Sequence, residues 1–142
     1  MGQNSTFIKY NYQNYFYINF PLEEVSKFVT SNQMLYMSYM NMGMNPNNEI
    51  NLIDCFNYYQ RDEYKFGYCE RCNNYISQII SRTKICNFPT YIIISFNRGK
   101  GIQFNIKINF PEFLDTNGII LNPNGIYQLY GVVKFFEFNF FI

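Results

Sequence analysis

The sequence predicts an α+β fold in which strands dominate and one main helix runs near residues 49–60. Three observations predict it. The chain carries 14 Tyr and 16 Phe, with aromatics at 21%, and Tyr, Phe and Ile fit a pleated, half-buried surface better than a helix. Residues 102–110 alternate Ile102, Phe104, Ile106, Ile108 and Phe110 with Gln103, Asn105, Lys107 and Asn109, the period of a strand with one buried face. Residues 48–60 instead repeat at helical spacing. Asn48 is a good N-cap, Glu49 complements the dipole, and Ile50, Ile53, Phe56 and Tyr59 share one face. At 142 residues and 48% hydrophobic, the chain can bury a real core as one domain or as part of a larger one.

The elements follow in order. Residues 15–20, YFYINF, read as a strand closed by Pro21. Residues 22–46 give no regular signal and read as a loop or insertion. Within them Met34, Met37 and Met40 stand at helical spacing, either as an adaptable binding face or as core filling. The 49–60 helix fades near residues 60–63. FGYC is a short strand running into the turn CERC, and YISQIISRTK (75–84) is its successor. After Pro89, the β-branched run TYIIISF suits a buried central strand. PEFLD ends the alternating strand, Asn117-Gly118 and Asn124-Gly125 mark turns, and IYQLYGVVKFF is the last strand. No internal repeat or linker interrupts this order.

Charge narrows the partners. Eleven basic and ten acidic residues leave a net charge of +1, mixed along the chain, so nothing favours nucleic acid. No run of about 18 apolar residues exists, so no membrane span is expected. The N-terminal MGQNSTFIKYNYQN has no signal-peptide pattern. The four cysteines, Cys55, Cys69, Cys72 and Cys86, therefore read as reduced thiols of a cytoplasmic or nuclear protein.

The landmarks INLIDCFNYYQRDE, YKFGYCERCNN, FPTYIIISFNRG, IKINFPEFLD and YQLYGVV occur in that order. Together they resemble the C-terminal half of the catalytic domain of ubiquitin-specific proteases, the cysteine-type deubiquitinases. Residues 50–63 match that family's helix, 68–72 its CxxC knuckle, 89–98 its apolar strand ending in Arg, 107–115 its FP–LD strand, and 127–133 its closing motif. YFYINFPL matches the strand ahead of the helix. The resemblance covers residues 15–135, with 1–14 and 136–142 as terminal segments. It implies the mostly antiparallel finger and palm of a papain-related domain, and ubiquitin or a ubiquitinated protein as partner.

The resemblance also implies what is missing. Hydrolysis in that family needs a thiolate nucleophile and a His that takes its proton. The chain has no His and no Gly-Asn-Thr-Cys-type box. Aligning YQLYGVVKFFE on the closing motif sets Phe135 at the His position. A thiol without a cationic neighbour titrates near ~8.5, so little thiolate forms at neutral pH. No catalytic residue is assigned, and the chain is expected to be inactive: a fragment, a degenerate copy or a non-catalytic relative. The start ahead of the finger strand favours a missing upstream part.

CERC has the spacing of two zinc thiolates, Cys69 and Cys72, whereas a closed structural site takes four ligands. The pair reads as knuckle-derived cysteines without metal, or as half of a zinc site completed outside this sequence. A four-thiolate set with Cys55 and Cys86 would need the helix and the Cys86 loop to converge on the knuckle. A redox role would need CxxC to open a helix, whereas Asn73-Asn74 and a strand follow. Asp54, Glu63, Glu112 and Asp115 form no close pair for acid–base work. Asp115 suits a turn cap. Arg98 matches the family's Arg, but Gly99 replaces the Phe beside it. NRGKG lacks the spacing of a phosphate loop.

Overall fold

The structure of the protein is a computed structural model that describes residues 8–10, 16–40, 49–69, 73–99, 106–123 and 125–133, with the backbone alone at 33–40 and 76–78. Its elements run β1 (Phe16–Pro21), α1 (Leu22–Met40), β2 (Glu49–Asn51), α2 (Leu52–Tyr59), β3 (Asp62–Cys69), β4 (Asn74–Arg82), β5 (Ile92–Asn97), β6 (Lys107–Asn109), β7 (Phe113–Asp115) and β8 (Ile126–Gln128). The fold is a small mixed α/β arrangement. Its strands pair two by two: β1 with β5 and β2 with β6 in parallel, β3 with β4 and β7 with β8 antiparallel. The expectation of a mostly antiparallel fold is thus corrected: among the described residues, two of the four strand pairings are parallel.

The β1–β5 pair forms one wall of the core. Phe16, Ile18 and Phe20 on β1 and Ile92, Ile94 and Phe96 on β5 point inward. Tyr17 and Ile93 point outward and remain about half exposed, as the period of two requires. The sequence suggests a buried central strand for β5. Among the described residues β5 instead pairs with β1 alone, and its outer face stays open.

α1 corrects the reading of residues 22–46 as a loop. Pro21 ends β1 and also stands immediately before the helix, a position Pro tolerates because the first turn's N–H groups have no helical partner. Glu23 and Glu24 complement the dipole in the first turn, and Lys27 pairs with Glu23 at 2.7 Å. Leu22 and Val25 are fully buried, Val29 packs on the core, and Phe28 meets Tyr58 edge-on. These apolar positions were the available signal, and β-branched and Asn-rich neighbours obscured it. Met34, Met37 and Met40 fall on the helical backbone, with their side chains outside the described residues.

α2 starts three residues later than the cap at Asn48 implies. Residues 49–51 are drawn into β2 by pairing with β6: Lys107 reaches Glu49 at 2.9 Å, and the Asn109 amide donates to Asn51 Oδ1 at 3.1 Å. Asn51 becomes the cap, its N–H donating to Asp54 Oδ2 at 3.1 Å. The shift rotates the buried face. Leu52, Cys55 and Phe56 are buried, while Ile53 and Tyr59, expected on the core face, are partly exposed.

Aromatic rings tie the core together. Phe20 meets Phe56 edge-on at 5.3 Å and stacks on Phe96 at 6.2 Å. Phe88 contacts Phe16, Phe56 and Tyr127 at 5.1, 5.8 and 5.7 Å. Each such pair adds about 0.5–1.5 kcal/mol beyond the area it buries. The Tyr127 hydroxyl donates to the Pro89 carbonyl at 2.5 Å, which locks β8 to the segment ahead of β5. Only Ile126–Gln128 of the long expected last strand is strand; 129–133 is irregular, and 134–142 lies outside the described residues. Of the alternating 102–110 stretch, residues 107–109 form β6, Ile106 is buried, and 101–105 lies outside the described residues. Among the described residues no helix is long and apolar enough to cross a membrane.

Candidate functional site

The CERC motif begins on Cys69, the last residue of β3, and residues 70–72 lie outside the described residues. β3 ends on Cys69, which pairs with Asn74 at the start of β4. Asn73 adopts a left-handed conformation (φ 50°), which Asn tolerates better than most side chains, and the Tyr68 hydroxyl donates to its side chain. Cys72 lies outside the described residues. The registers on either side of residue 66 differ by one residue, so β4 carries a bulge opposite Phe66.

The hairpin stands apart from the core. β3 and β4 pack chiefly on each other, and none of their described side chains joins the buried cluster. One face carries Tyr64, Phe66 and Tyr68 from β3 with Tyr75 and Ile80 from β4. Phe66 stacks on Tyr75 at 5.5 Å with the rings 7° from parallel, and Tyr68 meets Tyr75 edge-on at 5.2 Å. The other face carries Glu63 and Lys65, paired at 3.0 Å, with Glu63 also held by Arg61 at 3.1 Å. The Lys65 hydrogen bond, then the two cationic charges, hold the Glu63 carboxyl below its usual range. At the hairpin base the hydrogen bond from Arg82 does the same for Asp62. This aromatic face was legible as Tyr and Phe at every second residue of YKFGY, but the two cysteines drew the reading to metal chemistry.

The remaining cysteines are not brought into a visible site. Cys55 is fully buried on α2. Burial, and then the Asp54 charge, push its thiol up to about 12, which suits a packing group and opposes thiolate ligation or nucleophilic attack. Cys86 is half-buried between β4 and β5, and its carbonyl accepts from the Asn122 N–H at 3.0 Å. Among the described residues no three Cys, Asp or Glu side chains gather as a metal cluster would require. Cys69 stands at the end of β3 and Cys72 lies outside the described residues, so the spacing of the motif by itself offers two of the four thiolates a closed site takes.

The carboxylates have structural occupations. Asp54 caps α2, Asp62 pairs with Arg82 across the hairpin, and Glu63 pairs with Lys65 along its own strand. Asp115 Oδ1 accepts the Asn117 N–H at 2.9 Å and side-chain amide at 2.8 Å, which makes it the turn cap the sequence suggests. Gly118 in that turn takes φ +77°, where a side chain would be strained. Arg98 Nη1 donates to the Ile106 carbonyl at 2.9 Å and so ties the end of β5 to the start of β6.

One polar residue went unnoticed in the sequence. Gln60 donates to the Ile119 carbonyl at 2.8 Å and accepts from the Ile85 N–H at 3.3 Å. Leu121 and Asn122 N–H groups donate in turn to the Ile85 and Cys86 carbonyls. Gln60 therefore joins the end of α2, the 85–86 segment and the 116–122 turn. Nothing in a lone Gln at the end of a helical pattern announces such a role. No protein-family model matches the chain, and no curated protein or solved structure matches it.

Proposed function

We propose that this chain is the finger and palm of a ubiquitin-specific-protease-type domain, binding ubiquitin without cleaving it. The observation that carries the reading is the agreement between motif order and element order. The INLIDCF motif supplies α2, Cys69 of CERC ends the first strand of a hairpin set apart from the core, and TYIIISF supplies β5. The FP–LD motif then gives β6 and β7, and the closing motif gives β8. Arg98 and Tyr127, both motif positions, make cross-element hydrogen bonds. The absence of His from the sequence and the buried, protonated Cys55 support a non-hydrolytic role.

Two measurements test the proposal. Titrating the chain into isotope-labelled ubiquitin should give saturable chemical-shift changes confined to one ubiquitin face. Unchanged ubiquitin spectra would end the ubiquitin reading. A fluorogenic amide at the ubiquitin C-terminus should not be turned over by the purified chain. Turnover that co-purifies with the chain would refute the non-hydrolytic part alone.

A further inference from the structure

We infer that the aromatic face of the β3–β4 hairpin is a homodimer interface, in which a second copy of this chain lays its own hairpin face against it across a twofold axis. The inference goes beyond the ubiquitin reading and does not depend on it. The starting point is a mismatch between sequence and environment. A two-stranded hairpin is at best marginally stable in water without something packed on it. This one projects from the core, yet five of its large aromatic or aliphatic residues face solvent: Tyr64 is 71% exposed, Phe66 70%, Tyr75 64%, Ile80 57% and Tyr68 48%.

Area and charge both favour a second copy as the occupant. At about 200 Å² per large side chain, the exposures of these five residues sum to roughly 600 Å², the upper end for a monomer's largest apolar patch. Two such faces bury about 1,200 Å² in total, enough for a specific interface. A twofold contact sets each residue near the axis against its own copy or a close neighbour, so an unpaired charge there would repel itself. The centre of this face is uncharged. Asp62 and Arg82 neutralise each other at one end, and Glu70 and Arg71, opposite in sign, follow Cys69 at the other. Glu63 and Lys65 point to the opposite face, where they pair. A net charge of +1 and an isoelectric point near 7.6 leave little long-range repulsion between copies. Phe66 and Tyr75 are already stacked on each other, an arrangement that docking can keep at little cost in side-chain entropy. Aromatic anchors of this kind dominate interface energies.

Sedimentation equilibrium of the full chain, in reductant and chelator, should give twice the monomer mass of 17.1 kDa. Phe66→Lys and Tyr64→Lys should each weaken dimerisation at least ~30-fold while keeping the far-UV circular dichroism. Ile93→Lys, on the open outer face of β1–β5, should leave it within about threefold, as expected for a substitution outside the interface. A photo-reactive benzoylphenylalanine at position 66 of the otherwise unaltered chain should cross-link to the 64–80 segment of a second copy, which tests the contact without relying on the Lys variants. A monomer at all concentrations would overturn the inference. So would a dimer indifferent to both hairpin substitutions, equal weakening by Ile93→Lys, cross-links outside 64–80, or a dimer that dissolves on adding chelator alone.

Discussion

The thiol of Cys55 is held neutral by its surroundings, and this has a measurable pH signature. In the unfolded chain the group titrates near its ordinary value of 9.0; in the folded chain burial moves it to about 12. Below pH 9 both states keep the proton, and stability is unaffected by this group. Between pH 9 and 12 the unfolded state releases a proton that the folded state retains. Stability therefore falls as pH rises, by at most about 1.4 kcal/mol per unit. Denaturant melts of the native chain and Cys55→Ala across pH 8–11 should show the extra alkaline loss in the native chain only; parallel curves would refute it. At the same scale, Gln60→Ala leaves the Ile85 N–H and the Ile119 carbonyl without their partner, which should cost about 1–3 kcal/mol. A denaturation midpoint within error of the native chain would show that water replaces the amide. The helix around Cys55 was readable, but the burial of Cys55 was not, because the expected apolar face ran through Ile53 and Tyr59 and the later start of α2 turned Cys55 inward. The clamp by Gln60 was not readable either, because its partners lie 25 and 59 residues away and are backbone groups that any residue carries.

Elements were legible where a single period ran without competition. β1, β5 and the β3–β4 hairpin follow from alternation and β-branched or aromatic content, and fall within a few residues of their expected bounds. α1 was lost because Met, Asn and β-branched residues dilute its pattern, although Leu22, Val25 and Val29 recur at helical spacing. α2 was displaced because Asn48 and Asn51 are both credible caps. The choice falls to β6, which recruits Glu49 through Lys107 and Asn51 through Asn109, a long-range pairing that local propensity cannot foresee. The knuckle motif was legible as following a strand, which β3 bears out by ending on Cys69, and its spacing offers only half a zinc site. Elemental analysis of the purified chain should thus find well under one zinc per chain. Stoichiometric zinc abolished by Cys55→Ser or Cys86→Ser would establish the four-thiolate arrangement instead. Phe20 is where elements meet, edge-on to Phe56 and stacked on Phe96. Phe20→Ala should cost about 3–5 kcal/mol, a large share of the total for a domain of this size, and should show as a collapse of the thermal transition.

At the scale of the whole molecule the chain divides into a core and a projection. β1, β5, α2 and the start of α1 share one buried cluster, joined by Ile106, Leu114, Ile119 and Ile120. None of the hairpin's described side chains joins it. Regions with few buried apolar contacts open with little free energy, whereas core amides exchange only on global unfolding. Native-state hydrogen exchange should accordingly separate two classes, with β1, β5 and α2 amides near the global limit and β3–β4 amides far below it. The homodimer adds a concentration dependence, because a contact that forms only in the associated state protects by mass action. Raising chain concentration through the dimer dissociation constant should slow exchange in β3 and β4 and leave the core class unchanged. The parallel β1–β5 pair provides the contrast. Parallel sheets are usually covered on both faces, yet Tyr17 and Ile93 stand on an open one, and a missing neighbour there would be a different protein surface. If concentration slowed exchange in β1 and β5 but not in the hairpin, the self-contact would belong to that open sheet face, and the hairpin would lose its assigned role.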